Sequence, residues 1–351
     1  MTKRLKSPEG DDLLCSVGLG HGRRVDMIRA PGWQRYAGLR HGFSTRAGGV
    51  STIYGQIGGA GSLNLGWTQQ DDPANVAENR RRFMAEVTGA PVQAVTASSF
   101  GPSVPCSLLP VPCLVTLRQL HSGMIRIVEA EECAKKGRLQ TANGRAVLRG
   151  DGMMTDVPGV FLGIQTADCV PVLVADVRRR AVGAFHAGWR GTLARIVERG
   201  IGTMRQRYGS RPRDLVAVVG PSIGPCCYAV GEEVRHEFES QFAYARELFS
   251  EVHNSDPVRK KYPMLFLTAR APGHSNLGPQ VHLDLWEANR RQLLGAGVPA
   301  GRITVIGECT ACAGLGTDAG RKYFSHRAES GFTGRMMAVI GVAGDRARVQ
   351  S

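Results

Sequence analysis

The sequence predicts a single α/β domain of the α+β kind, built from mixed β-sheets flanked by helices. Three observations predict it. Residues 151–191 contain three runs rich in Val, Leu, Ala and Phe, at Val160–Gln165, Val170–Asp176 and Ala181–His186, separated by short polar turns. Segments with apolar residues at helical spacing and recognisable caps lie on either side of them. There is no internal repeat, and no run of about 18 apolar residues that would argue for a membrane span. The 351 residues and 42% hydrophobic content suit a sizeable core. With only 6% aromatics that core must rest on Val, Leu, Ile and Ala, and 45 glycines imply many turns. The domain is expected over 31–345, after a poorly ordered lead-in at 1–30.

The elements follow in chain order. His41–Ser51, HGFSTRAGGVS, reads as a short strand that turns at Gly48-Gly49. Arg46 beside this turn is suited to hold an anion. In Ser62–Gly66, SLNLG, Asn64 is suited to cap or to bind. Asp72-Pro73 opens a helix with Asp as N-cap and Pro at the first position. Its apolar face is Val76, Phe83, Met84 and Val87, and Gly89 ends it. The Pro/Ser/Val-rich stretch 91–112 reads as an inserted loop, with Cys106 and Cys113 incidental. Leu114–Val128 reads as two strands around a turn at Ser122-Gly123, with His121 at the turn; 131–149 is polar and exposed.

After the three central strands, Thr192–Gly209 reads as one helix with Leu193, Ile196, Val197, Ile201 and Met204 on one face. Its lead-in, HAGWRG, sets Arg190 and free backbone N–H groups beside His186, a natural anion site. A strand is expected at Leu215–Val219, then a Gly/Pro loop carrying Cys226 and Cys227, then a helix near Glu232–Phe249. A second insertion is expected at 254–280, and Asp284 caps a helix to about Leu294. Ile303–Gly307 is a strand leading to Cys309 and Cys312. Their C-x2-C spacing suggests zinc or redox chemistry, but no second C-x2-C is evident, which argues against a zinc ribbon. Tyr323–Arg335 is a polar loop with Ser325, His326 and Arg327. Met336–Val342 closes the chain as a buried strand.

Composition narrows the function classes. The net charge of +14 is compatible with nucleic acid or small anionic substrates. It is scattered, though, and no RNA-recognition, zinc-finger or helix-turn-helix signature accompanies it. The N-terminus lacks a long apolar signal region, and nine cysteines follow no framework spacing. Both point to a cytoplasmic protein with reduced thiols.

Two candidate ligands sit in the central stretch. Positions 169 and 186 are symmetric about the Val177–Arg178 turn. A hairpin in that register sets Cys169 opposite His186 on one face, with Cβ atoms about 4.5–5.5 Å apart. Asp168 then points to the other face, where it either orients a neighbouring group or is structural.

Together, HGFSTRAGGVS, SLNLG, QLHSG, DGMMTD, TADCVPVL, HAGWRGT, GPSIGPCCY, CTAC and YFSHR with TGR resemble the laccase-domain family, also called YfiH-type or polyphenol oxidase proteins. The pieces run in the family's order from His41 to Arg335. Departures are Ser122, where the family usually has Gly, Ala229, where Glu is common, and longer loops at 91–112 and 254–280. The resemblance implies a layered sandwich and a zinc site of His121, Cys169 and His186. It also makes Arg46, Asn64 and Arg190 substrate contacts. Two His and one Cys with an open fourth position is a catalytic zinc arrangement, and copper also suits these ligands.

The activity implied is a purine nucleoside phosphorylase acting on inosine, guanosine, adenosine and S-methyl-5'-thioadenosine, with some adenosine deamination. The usual zinc-deaminase signature, H-x-E paired with P-C-x-x-C, is absent. Three alternatives stand beside it. One is a Cys-His amidase editing UDP-muramyl cell-wall precursors, with Cys169 as nucleophile and His186 or His121 as base. Another is a copper-dependent polyphenol oxidase, although the chain holds only nine His and no H-x-H pair. The last is a basic RNA-binding module. The oligomeric state is not legible.

Overall fold

The computed structural model describes residues 25–57, 60–89, 113–134, 139–140, 144–252, 280–315 and 320–344. Two mixed sheets stack face to face. The first runs in the order β1 (Met27–Ile28), β2 (Leu39–Ser44), β16 (Met336–Val342), β8 (Val160–Thr166), β5 (Cys113–Thr116). The second runs β15 (Ile303–Val305), β11 (Leu215–Val219), β9 (Val170–Asp176), β10 (Ala181–Ala187), β7 (Gly152–Thr155), β6 (Ile125–Ile127). Only edge pairs are parallel, one in the first sheet, β5 with β8, and two in the second, β6 with β7 and β11 with β15; the remaining pairs are antiparallel. Two small sheets complete the fold, β3 (Ser51–Ile57) with β4 (Ala60–Ser62), and β12 (Ala229–Val230), β14 (Gln280–Leu283), β13 (Phe249–Val252).

The central strands read as continuous apolar runs because both their faces are covered. In β9, Leu173 and Ala175 face the other sheet, while Val170, Val172 and Val174 face helices. In β16, Ala338 and Ile340 join the inter-sheet core, while Met337 and Val339 face outward under α1 (Pro73–Thr88). The outer face of the six-stranded sheet carries α4 (Ile196–Tyr208), α5 (Glu232–Gln241) and α6 (Leu285–Gly295). The result is a helix–sheet–sheet–helix sandwich, with short helices α2 (Ala130–Ala134) and α3 (Trp189–Leu193) at its margins. No helix among the described residues is long and apolar enough to cross a membrane.

The caps act as their sequence requires. Asp72 Oδ1 accepts from Ala74 N at 2.8 Å, and Gly89 closes α1 at φ 68°. Asp284 accepts from Glu287 N at the start of α6.

Several expectations are corrected. Of the lead-in expected at 1–30, residues 25–30 belong to the fold: Met27–Ile28 pairs with β2, and Ile28 and Ala30 are buried. The rest of it, the insertion expected at 91–112 and residues 254–279 of the one expected at 254–280 lie outside the described residues; Cys113 opens β5 and Gln280 opens β14. The two strands of Leu114–Val128 do not pair with each other. β5 joins the first sheet and β6 the second, so the 117–124 link crosses between sheets and sets His121 at their common edge. The helix expected at Thr192–Gly209 starts earlier, at Trp189, and breaks at Arg195, whose φ of 54° is left-handed. The helix expected to reach Phe249 ends at Gln241, because extended Phe242 packs its ring against Phe238 and Tyr244.

Candidate metal centre

β9 and β10 form the expected hairpin in a different register. His186 pairs with Pro171 and Ala187 with Val170, so the turn is two residues longer than symmetry about 177–178 requires. A slip of two preserves side-chain facing, because strands alternate with period two. Cys169, just beyond the strand end, is therefore a diagonal neighbour of His186 rather than its direct partner. Continuing the ladder by one step sets Gly188 beside Cys169, where an added Cβ would lie 2.7 Å from Cys169 Sγ and 3.5 Å from His121 Cδ2. The glycine leaves the space into which the three side chains converge.

They do converge. The ligand atoms of His121, Cys169 and His186 all lie within 4.8 Å of one another, and the two imidazoles meet edge to face at 4.9 Å. His186 is buried, Cys169 half-buried and His121 exposed, so the group opens to solvent on the His121 side. His121 sits at φ 57°, a conformation held by its surroundings.

That surrounding group is Asp151, fully buried immediately before β7. Its carboxylate accepts from His186 Nδ1 at 2.9 Å, His121 N at 2.9 Å, and Ser122 N and Oγ, each at 2.7 Å. Leu120 N adds a longer bond. Burial opposes the charge on Asp151, but these donors outweigh it and hold the carboxyl well below its usual range. An ionised carboxylate only accepts, so His186 keeps a proton on Nδ1, and Nε2 is the nitrogen left free for the cluster. Burial likewise raises the Cys169 thiol and lowers His186. The opposite charges of the pair win, bringing Cys169 down to about 6 and His186 up to about 9. The group is thus a poised thiolate–imidazolium pair, and a cation entering it displaces a proton.

Sequence reasoning missed Asp151, and of the two roles it left open for Asp168, orienting a neighbouring group or structural, the second is the one seen. Asp168 serves elsewhere: at φ 93° and buried, it accepts from Thr310 Oγ1 and Arg327 N, both at 2.7 Å, and its carbonyl accepts from Ile223 N. It ties three loops together behind Cys169. The clue to Asp151 lay in DGMMTD, whose first residue precedes a buried strand.

The remaining candidates separate. Arg190 is exposed, and its guanidinium stacks 4.3 Å over the Trp189 ring. The helix that it enters, α3, is a single turn, so the full helix dipole expected there is not available. Tyr228 lies among Cys169, Asp168, Arg190 and Arg327; burial first, then the Cys169 charge, pushes its hydroxyl up, while the arginines oppose this. Arg327 stacks over the Tyr228 ring at 5.4 Å. Arg46 pairs with Glu329 at 2.6 Å, donates to the Tyr54 carbonyl and lies over Phe324. Asn64 is fully buried and bonds to Gly66, Asp71 and Arg335 N. Its amide is spent inside the fold. The C-x2-C pair also has the partner that sequence reasoning did not find: the sulfurs of Cys226, Cys227, Cys309 and Cys312 lie within 4.8 Å of one another.

A helix-flanked double-sheet sandwich with a Cys/His2 group at the sheet edge defines a class of candidate metalloenzyme. A family model described as "Multi-copper polyphenol oxidoreductase laccase" matches residues 40–100 and 106–343, and the chain belongs to this family. It is 33% identical over 317 residues to "Purine nucleoside phosphorylase YlmD" of Geobacillus stearothermophilus, covering 89% of this chain and 95% of that one. It is 32% identical over 200 residues to "Adenosine deaminase RL5" of an unknown prokaryotic organism, covering 57% of this chain and 66% of that one. Among solved structures, YlmD from Geobacillus stearothermophilus matches with a TM-score of 0.65 at 30% identity, over 95% of this chain and 99% of that one.

Proposed function

We propose that this chain is a zinc-dependent purine nucleoside phosphorylase. Its substrates are inosine, guanosine, adenosine and S-methyl-5'-thioadenosine, with accompanying adenosine deamination. The names of the relatives support an enzyme acting on purine nucleosides. The observation that carries the reading is the convergence of His121, Cys169 and His186 with one side open. One thiolate and two imidazole nitrogens suit zinc. When bound, zinc supplies positive charge that attracts a phosphate oxygen.

The chain's own residues do the rest. Asp151 fixes the tautomer of His186 and the turn carrying His121. Arg190, four residues after His186 and stacked on Trp189, meets the phosphate dianion, and Arg46, held by Glu329, is the second cation of the substrate site. Asn64 supports the loop rather than touching substrate. Tyr228 offers a half-buried ring against the nucleoside. In phosphorolysis a phosphate oxygen bonds C1′ as the bond from C1′ to the purine nitrogen breaks, and the base leaves with a proton. Holding the two reactants in line, with their charge neutralised, carries most of the rate.

The test is conversion of inosine plus phosphate to hypoxanthine, alongside metal analysis. Cys169→Ala should abolish the activity and remove one zinc equivalent. Base release without phosphate points to a hydrolase. Activity that survives chelation points to the thiol amidase. Copper-dependent oxygen uptake with phenols points to the oxidase, although the described residues hold no group of His beyond this centre that would make a multicopper site.

A further inference from the structure

We propose that Cys226, Cys227, Cys309 and Cys312 form a second, structural metal site that holds one tetrahedral zinc ion. The proposal stands apart from the reaction assigned to the Cys169 centre. The four sulfurs come from two loops, 220–231 and 308–315, and all lie within 4.8 Å of one another. Cys226 Sγ and Cys312 Sγ are 3.7 Å apart. Zn–S bonds of about 2.3 Å in a tetrahedron separate sulfurs by about 3.8 Å, so the spacing is that of ligands around one ion. A two- or four-iron cluster spreads its cysteines around several metal atoms and does not fit within this radius. A dithiol switch uses two sulfurs and leaves the other two crowded against it for no purpose.

The backbone is arranged for a thiolate at Cys309. Gly224 N donates to Cys309 Sγ at 3.2 Å. The amides of Ala311 and Cys312 turn toward the same sulfur, as happens when a C-x2-C turn wraps its first ligand. An added Cβ at Gly224 would lie 2.6 Å from Trp286 Cη2 and 3.3 Å from Cys309 Cβ, so the glycine lets this loop pack between Trp286 and Cys309. The site is partly roofed by Ile223, Ala311, Tyr228 and Trp286, and Arg321 reaches the Ala311 carbonyl beside it.

Its place in the fold gives the site a task. Thr310 lies between Cys309 and Cys312, and its hydroxyl donates to Asp168. Ile223 N donates to the Asp168 carbonyl, and Ser222 and Thr310 join the two loops through backbone bonds. An ion at the four sulfurs locks these loops and, through Asp168, the chain segment that presents Cys169. The sequence motif in this region that the reaction does not use is then accounted for.

The test is metal content by mass spectrometry on the full chain, purified without chelator, with X-ray absorption on the same samples. Wild type should hold two zinc per chain. Cys169→Ala should keep one, with a shell of four sulfurs at about 2.3 Å. Cys309→Ser and Cys312→Ser should each lose that zinc and keep the other. Cys226→Ser, at the exposed sulfur, serves if the more buried substitutions fail to fold; it too should lose one zinc equivalent. One zinc in wild type that vanishes wholly in Cys169→Ala overturns the proposal. So does a disulfide among the four cysteines by mass, stoichiometric iron with sulfide, or equal alkylation of all four thiols with and without chelator. A wild type that holds two zinc but releases no hypoxanthine retains this site and rejects the phosphorylase instead.

Discussion

His186 Nδ1 lies 2.9 Å from Asp151 Oδ1, and the same carboxylate gathers the amides of the 120–122 turn. One buried charge therefore sets the orientation of one imidazole and the backbone of the other. Asp151→Asn removes the charge and points an NH2 at donors that have no other acceptor. Metal affinity is expected to fall by at least the 10–100-fold typical of losing such a partner, with phosphorolysis falling alongside. Competition with a chromophoric chelator measures it. Unchanged affinity would mean that the carboxylate only supports the fold.

Gly188 is a test of space. Its φ of −64° suits any residue, so Gly188→Ala carries no backbone strain. The new methyl would nevertheless sit 2.7 Å from Cys169 Sγ, and ligand distances tolerate only about ±0.2 Å. A folded protein, with wild-type circular dichroism, should lose the zinc of this centre and keep that of the four-cysteine site. Full retention of both ions at chelator concentrations that wild type withstands contradicts the packing described here.

Much of this was legible in the sequence. The strands at 160–166, 170–176 and 181–187 announce themselves because burial on both faces leaves mostly apolar residues. Asp72, Gly89 and Asp284 mark helix ends by cap chemistry that acts within a turn. That His121, Cys169 and His186 come together was legible through motif resemblance, and the facing of Cys169 and His186 survived a register error because the error was even. What escaped were relations fixed only by tertiary contact. No local signal says that Asp151, rather than Asp168, folds over His186. Cys226 and Cys312 are 86 positions apart, and adjacent cysteines do not have the spacing that usually marks a zinc pair. The break at Arg195 was hidden because arginine carries no sequence signal for a left-handed turn.

His41 gives the fold a dependence on pH away from either cysteine cluster. It is buried against Trp33 and accepts a hydrogen bond from Ala30 N at 2.8 Å, which requires the neutral ring. Burial, then the nearby Arg29 charge, lowers it from 6.5 to about 3. The folded state thus binds this proton less readily than the unfolded chain. The resulting stability is complete above pH 6.5 and is lost as pH falls toward 3, at up to about 1.4 kcal/mol per unit. Urea unfolding at pH 7 and pH 5 should show a steeper loss in wild type than in His41→Gln. Parallel losses in the two proteins would remove His41 from the account.

Two glycines on α4 separate helix propensity from packing. Gly is worse than Ala inside a helix by roughly 0.5–1 kcal/mol, so propensity alone says that both Gly200→Ala and Gly202→Ala stabilise. Gly202 has open space where a Cβ would stand, and its substitution should raise stability by about that amount. Gly200 faces β10, where a Cβ would lie 2.3 Å from Phe185 Cζ. Phe185 is fully buried under Met204 and Ile201, so its ring has nowhere to go without shifting the helix. Overpacking of this kind costs about 1–3 kcal/mol, which exceeds the propensity gain. Thermal unfolding should therefore move in opposite directions for the two variants, down for Gly200→Ala and up for Gly202→Ala. A matching rise in both would show that α4 slides freely on the sheet, and that the contact holding Phe185 beneath it is not a tight one.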